Sequence, residues 1–420
     1  MTSACKSVPS EKTQLQRNVE TNGMVSIIEP TDANAIVAIQ ILIKAGSSHD
    51  PVGKRGLHNL MMRTLRKGTQ KYSEAEFNQA LDRLGASIGT GTDRDNSSIS
   101  LQCTQRHLAE ALPLFFEILQ HPTFPTAAID TEKEQVQRDI KERGDQFLSK
   151  AFDLFQERYY GKYPYLHPLG TPEDVAGLTR EDIVANYQSM FDPKQMIVSM
   201  VGPVDATDLR QQFSQLFPAR PVETSRGASP LPDFLAPNRD SDNILHRETV
   251  ANWVVLGYPA PSEKDLDEVA FDVMNGIMGG SMNSRLFTEV RDKQGLAYQI
   301  GSTYNKRQGP SFWAMYIGTK GPNFAKAKAA CLKEVDRIQN TLVSAEELQN
   351  TKAYIKGTYL MAQERNLNRA DLYNDCEYNG RSLDYVQNYP KLIDAISAED
   401  VQRVAKKYLH PVVMGAVLPK

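Results

Sequence analysis

The period of the hydrophobic positions changes several times along the chain, and each change predicts an element. Ala35-Ile36-Val37-Ala38-Ile39-Gln40-Ile41-Leu42-Ile43 is almost unbroken and rich in β-branched side chains, so residues 25–45 read as well-buried strand. Over residues 53–66 the spacing lengthens, with Leu57, Leu60, Met61 and Leu65 falling on one helix face. Ser73-Glu74-Ala75-Glu76 has the form of a capping box and predicts a second helix start. Alternation broken by Gly and Asp predicts a hairpin over 85–103, and helical spacing returns over 105–119 and 126–160. Residues 195–202 read as strand again.

Residues 219–243 interrupt this order. They hold four prolines and few apolar pairs, the composition of a linker. Beyond them the order restarts: strand at 252–258, helix at 266–278, strands at 298–301 and 311–318, helices at 322–341 and 345–364. The repetition extends to residues. Leu178-Thr179-Arg180-Glu181-Asp182-Ile183 leads through Tyr187 to the strand 196–201, and Ile396-Ser397-Ala398-Glu399-Asp400-Val401 leads through Tyr408 to the strand 412–417. A repeat of roughly 200 residues means duplicated domains, not a solenoid. The expected fold is α+β in two similar halves, each a mostly antiparallel sheet with clustered helices. The halves are residues 1–218 and 244–420, joined by the linker 219–243.

Composition narrows the function class. The 420 residues are 40% hydrophobic and 24% charged, which suits a globular protein with more than one core. A net charge of -3 gives no basic bias toward nucleic acid, and no apolar run reaches the ~18–20 residues of a membrane span. Cys5, Cys103, Cys331 and Cys376 are scattered without a C-x-x-C pair, which reads as single thiols of a reducing compartment. MTSACKSVPSEK has no apolar signal core, so the cytoplasm is the expected location; the periplasm stays open for a chain trimmed of a signal.

The segment Gly56-Leu57-His58-Asn59-Leu60-Met61-Met62, followed by Lys67-Gly68-Thr69, resembles the inverted zinc motif H-x-x-E-H of the insulinase/pitrilysin peptidases. Two histidines four apart on one helix face reach one zinc ion, and the glutamate between them serves as general base. The resemblance puts His58 at the first histidine, Met61 at the base, Met62 at the second histidine and Asp139 at a downstream glutamate ligand. Met61 has no group that accepts a proton, and a thioether is a soft ligand unsuited to zinc. One histidine and one shortened carboxylate fall short of the three protein ligands of a catalytic zinc site. On the residues alone, His58 reads as a satisfied helix histidine and Met61 and Met62 as packing side chains.

The second half keeps its motif. Gly279-Gly280-Ser281-Met282-Asn283-Ser284-Arg285-Leu286-Phe287-Thr288-Glu289-Val290-Arg291, followed by Gly295-Leu296-Ala297-Tyr298, resembles the family's second-half signature. Arg291 and Tyr298 match what the family calls the R/Y pair, which helps hold the substrate backbone and the developing oxyanion opposite the zinc. Guanidinium and phenol are donors, chemically suited to that task. Gly279, Gly280 and Ser281 are candidates for a substrate-touching loop; no Lys-Ser/Thr follows Gly276, Gly279 and Gly280, which excludes a phosphate loop.

Degenerate first half and intact second half together resemble the non-catalytic subunits of the processing-peptidase branch. The resemblance implies a clamshell of two halves and no metal of its own. It also implies a zinc-bearing homologous subunit as heterodimeric partner, or a self-dimer, with peptide as substrate and neither nucleic acid nor membrane as partner. A scaffold protein of the same fold is a second reading. An independent metallopeptidase using His58, Asp139 and a further ligand such as His107 or His121 is a third.

Overall fold

A computed structural model describes residues 14–218 and 231–420. Cys5 and the portion 219–230 of the expected linker lie outside the described residues. The first half runs β1 (Gln16–Val19), β2 (Val25–Pro30), β3 (Ile36–Ile43), α1 (Leu57–Thr64), α2 (Glu74–Leu84), β4 (Ser87–Thr92), β5 (Ser97–Thr104), α3 (Leu108–Gln120), α4 (Thr126–Asp145), α5 (Phe147–Tyr160), α6 (Pro172–Gly177), α7 (Arg180–Met190), β6 (Met196–Gly202) and α8 (Ala206–Leu216). The second runs β7 (Ser241–Arg247), β8 (Ala251–Ala260), α9 (Glu268–Met278), a π-helix (Leu286–Asp292), β9 (Gln299–Asn305), β10 (Ser311–Lys320), α10 (Phe324–Asn340), α11 (Ala345–Ala362), α12 (Asn366–Tyr378), α13 (Asp384–Ala395), α14 (Ala398–Tyr408) and β11 (Val413–Pro419).

The duplication extends to strand pairing, with β1 alone among the described strands lacking a counterpart in the second sheet. One sheet has the order β1-β2-β6-β3-β5-β4 and the other β7-β11-β8-β10-β9. The pairs β2·β6 and β7·β11 are parallel and occupy equivalent places, while every other pair is antiparallel. The fold is therefore α+β in two similar halves. The capped helices expected from the repeat are α7 and α14. Thr179 accepts from Asp182 N, Ser397 accepts from Asp400 N, and each aspartate reaches back to its cap's amide. Ser73 and Glu76 close the same box at the start of α2.

The two compact units do not follow the two sequence halves. One unit takes residues 1–137, 167–230 and 362–386, and the other 138–166, 231–361 and 387–420. Each sheet is covered on one face by a helix from the opposite half: α12 packs on β3 and β6 in the first unit, α5 on β8 and β11 in the second. Covering both faces explains why β6 is buried at every residue and why β3 carries no alternation. In the second unit the fit of α5 is close. A side chain at Gly257 would overlap the Phe155 ring, and one at Gly415 would overlap the α5 backbone at Ala151 and Phe155. In the first unit α12 is held by polar groups as well. Ser199 Oγ donates to Asn374 Oδ1 at 2.7 Å, and Asn374 Nδ2 donates to the Gln40 carbonyl at 3.0 Å.

The stretch expected as one helix over 126–160 is two, α4 and α5, parted at Gln146, whose backbone is extended. The break follows Gly144, in a part of the chain that already belongs to the second unit, which begins within α4 at Arg138. The helix expected from residue 53 begins at Leu57, because Gly53 and Gly56 take φ of +78° and +89° in the preceding turn.

Candidate functional site

The first candidate lies on α1. Its N-terminus has no capping side chain of its own, since Gly56 stands at the cap. Asp50 supplies the missing acceptor from the loop before it. Its carboxylate accepts from Gly56 N at 2.7 Å, from His58 N at 2.9 Å and from His58 Nδ1 at 2.5 Å. Both side chains are almost wholly buried, at 4% and 1% exposed. A carboxylate on one ring nitrogen is how proteins orient a metal-bound histidine. His58 has such a carboxylate, but no set of further hard donors stands with it among the described residues.

Met61 and Met62 are buried in the first unit's core with Leu57, Leu60 and Leu65. They fill volume and offer no hard donor. Asp139 is on α4, half-buried, beyond the point where the chain passes into the second unit. In the part of α4 that remains in the first unit, Glu132 is engaged by Lys67 at 3.0 Å and Arg63 at 3.8 Å. Among the described residues, no three His, Cys, Asp or Glu side chains stand close enough to share an ion. His107 pairs with Glu110 at 3.2 Å, and His121 closes the end of α3 through its backbone. These residues do not fit a zinc ion.

The second candidate is the block 279–298. Gly279 ends α9 so close to β9 that an added Cβ would fall 2.5 Å from Ser302 N, and Gly276 presses α9 onto Thr351 of α11. Part of the small-residue turn is thus a packing requirement. Gly280 is exposed and Ser281 half-buried. Ser281 lines a cleft of about 870 Å³ with Met282, Arg285, Glu289, Glu347 and Tyr354.

Arg285 anchors this cleft, a role the sequence reading did not assign. It is 4% exposed and makes a two-pronged bond to Glu347, Nε–Oε1 2.7 Å and Nη2–Oε2 2.8 Å, tying the π-helix to α11. Its Nη1 and the neighbouring Ser284 Oγ are buried without a hydrogen-bond partner among the described residues. The signal that could have found the pair is chemical: a buried arginine needs a carboxylate, and Glu347 stands in the first turn of α11.

Arg291 and Tyr298 flank the loop between the π-helix and β9. Gly295 takes φ of +62° and donates its N–H to the Arg291 carbonyl at 2.9 Å, which closes the loop. The Arg291 guanidinium lies 4.4 Å from the centre of the Phe287 ring and, among the described residues, has no ion pair. Tyr298 is 48% exposed, with its ring edge-on to Trp253 at 5.4 Å, over the bare backbone of Gly318. Partial burial raises its phenol above the usual range. That hydroxyl makes no hydrogen bond among the described residues, so both side chains keep uncommitted donors.

Comparison with known proteins matches both halves of the chain to models of one peptidase family. Residues 25–173 match the family description "Insulinase (Peptidase family M16)", and residues 177–355 match "Peptidase M16 inactive domain". A Helicobacter pylori zinc protease named PqqE is 25% identical over 92% of this chain and 88% of its own length. A Helicobacter pylori protein described as the non-peptidase homolog YmxG is 23% identical over 88% of this chain and 85% of its own. A crystal structure of a peptidase M16 inactive domain from Pseudomonas fluorescens superposes with a TM-score of 0.88 at 20% identity, covering 97% of this chain and 98% of that one.

Proposed function

The chain belongs to the insulinase family, peptidase family M16, and we propose that it is the non-catalytic subunit of a two-subunit zinc peptidase, lending Arg291 and Tyr298 to a homologous zinc-bearing partner. One observation carries the reading. The donor set for a metal is gone, with Met61 and Met62 absorbed into a core, while Arg291 and Tyr298 stand with donors uncommitted. A scaffold has no chemical use for such a pair.

In this reading the partner supplies the metal and the general base. Arg291 and Tyr298 hold the backbone of an extended peptide and donate to the oxygen on which charge grows as its carbonyl is attacked. The Phe287 ring under the guanidinium limits its freedom, so less ordering remains to be done when peptide binds. Gly280 and Ser281 are then the loop positions that touch substrate.

The test is reconstitution. Mixed with a zinc-bearing homologue that pairs with it, the chain should raise cleavage of unfolded peptides well above that of either chain alone. Chelator-sensitive cleavage by this chain alone would overturn the proposal. So would a stable heterodimer whose activity is indifferent to both Arg291 and Tyr298, which would favour a scaffold role.

A further inference from the structure

We infer that a pocket at the end of α5, remote in sequence from both candidates above, binds a peptide segment carrying an acidic residue beside a large apolar one. The pocket measures about 500 Å³ and forms between the last turn of α5 and the extended stretch 231–241. Its floor is aromatic: Phe234 lies 6.1 Å from the Tyr160 ring and 5.4 Å from the Tyr163 ring. The Tyr160 hydroxyl is turned onto the Pro310 carbonyl at 3.1 Å, so its ring, not its polar tip, serves the pocket. Such a surface favours a large apolar side chain.

The rim is cationic. Arg158, Lys162 and Arg239 line it at exposed positions, and among the described residues none makes an ion pair or side-chain hydrogen bond. Other arginines of the protein do find carboxylates, as at Arg17–Glu377 and Arg369–Glu29. The carboxylates around this rim are fewer or occupied. Among the described residues, Asp233 is the one carboxylate that lines the pocket. Glu157 lies 3.8 Å from Lys150 and accepts from Asn243, and Asp240 accepts from Val412 N at 3.0 Å. Among the described residues, three cations without an ion pair stand against one carboxylate in the lining, the opposite sign to a chain whose net charge is -3. Beside low-dielectric rings, a carboxylate is drawn to them more strongly than in open water. The cations ring the mouth of the pocket, not its floor. A ligand's charge therefore rests at the entrance with solvent beyond it, which suits one apolar–acidic residue pair within a longer chain.

The inference does not depend on a partner subunit and is tested on the chain alone. The probe is a fluorescein-labelled peptide of about ten residues with alternating Phe and Glu, set against its Phe–Lys counterpart. Anisotropy titration should show saturable binding of the acidic peptide only, weakening as salt rises. The R158A/R239A double variant should bind at least about tenfold more weakly with unchanged circular dichroism. R158E/R239E should transfer the preference to the basic peptide. Equal binding of the two peptides, no saturable binding, or unchanged affinity in the double variant would overturn the inference. So would phenylacetate saturating the site while the acidic peptide does not, since that makes the pocket a small-molecule site. None of these results touches Arg291 or Tyr298.

Discussion

Asp50 holds His58 at two points, accepting from its backbone N–H at 2.9 Å and from its ring Nδ1 at 2.5 Å. One buried carboxylate thus caps α1 and satisfies the His58 ring. Asp50→Ala removes the cap and leaves a buried imidazole without its partner. The two losses are worth ~1 and ~1–3 kcal/mol, so a total of about 2–4 kcal/mol should appear in urea unfolding at pH 7. A loss below about 0.5 kcal/mol would mean that water replaces the carboxylate and the pair is incidental.

The same geometry bears on metal. His58 is oriented as a ligand would be, yet Met61 and Met62 offer only thioethers inside a core. Zinc at tens of micromolar should therefore leave the melting temperature unchanged, because a ligand stabilises only in proportion to its binding. Elemental analysis after dialysis should find no stoichiometric zinc. About one zinc per chain, lost on His58→Ala, would reinstate a metal site there.

A second buried cluster predicts a pH dependence. Glu268 and Asp272, one turn apart on α9, both lie 2.6 Å from Lys306 Nζ, and Tyr389 donates to Asp272 at 2.8 Å. Burial works against the Lys306 charge, but the two carboxylates outweigh it and hold the ammonium above its usual range. A raised lysine contributes stability that is complete below its unfolded value near 10.4 and is lost as pH rises through the folded value. Lys306→Met should cost about 3–5 kcal/mol at pH 7, by leaving two buried carboxylates unpaired. Burial already holds Asp272 above its usual range against the pull of Lys306, and without that ammonium it rises further, so stability of the variant should recover as pH falls toward 5. A variant whose deficit is flat from pH 5 to 8 would show the cluster to be well solvated.

Much of this architecture is legible in the sequence, and the reasons for the rest are physical. The capping boxes at Ser73, Thr179 and Ser397 are local, so three or four residues suffice to predict them. The buried run of β3 is likewise visible, because both faces of the strand demand apolar side chains. Periodicity cannot say which sheet a helix covers, and so the crossing of α5 and α12 to the opposite sheets was invisible. Asp50 is similar: eight residues before His58, in a loop without a motif, it acquires its role only when the chain turns back at Gly53 and Gly56.

That crossing carries its own prediction. Cutting the chain within 219–230 leaves each fragment without the helix that covers its sheet. The fragment ending there keeps α5 but lacks α12, and the other keeps α12 but lacks α5. Each alone exposes one apolar sheet face and should aggregate or bind a hydrophobic dye. Mixed during refolding, the two should recover the near-ultraviolet spectrum of the intact chain. Gly257→Ala, which drives a methyl into the Phe155 ring, should block that recovery or lower stability by about 1–3 kcal/mol. Two fragments that fold separately with native spectra would mean that the exchanged helices are dispensable.

The decisive comparison sets Arg291 against His58 in the reconstituted pair. Arg291 and Tyr298 carry donors that nothing in the described chain uses, and each is expected to meet charge that appears only as the peptide carbonyl is attacked. An interaction realised only in the transition state lowers kcat when removed and leaves KM nearly alone. Arg291→Ala and Tyr298→Phe should therefore each lower kcat by about 10²–10³ with assembly intact by gel filtration. His58→Ala should change turnover by less than about threefold once its stability cost is offset by lower temperature, because no metal depends on that ring. The kcat and KM values alone do not separate chemistry from simple damage, since a misfolded subunit lowers the amount of active pair, and with it the apparent kcat, and leaves the KM of the survivors unchanged; kcat is therefore taken per active pair. Gel filtration and an active-site titration of the pair supply that amount. If His58→Ala abolishes turnover per assembled pair while Arg291→Ala is silent, the chemistry belongs to the first half of the chain and not to the second.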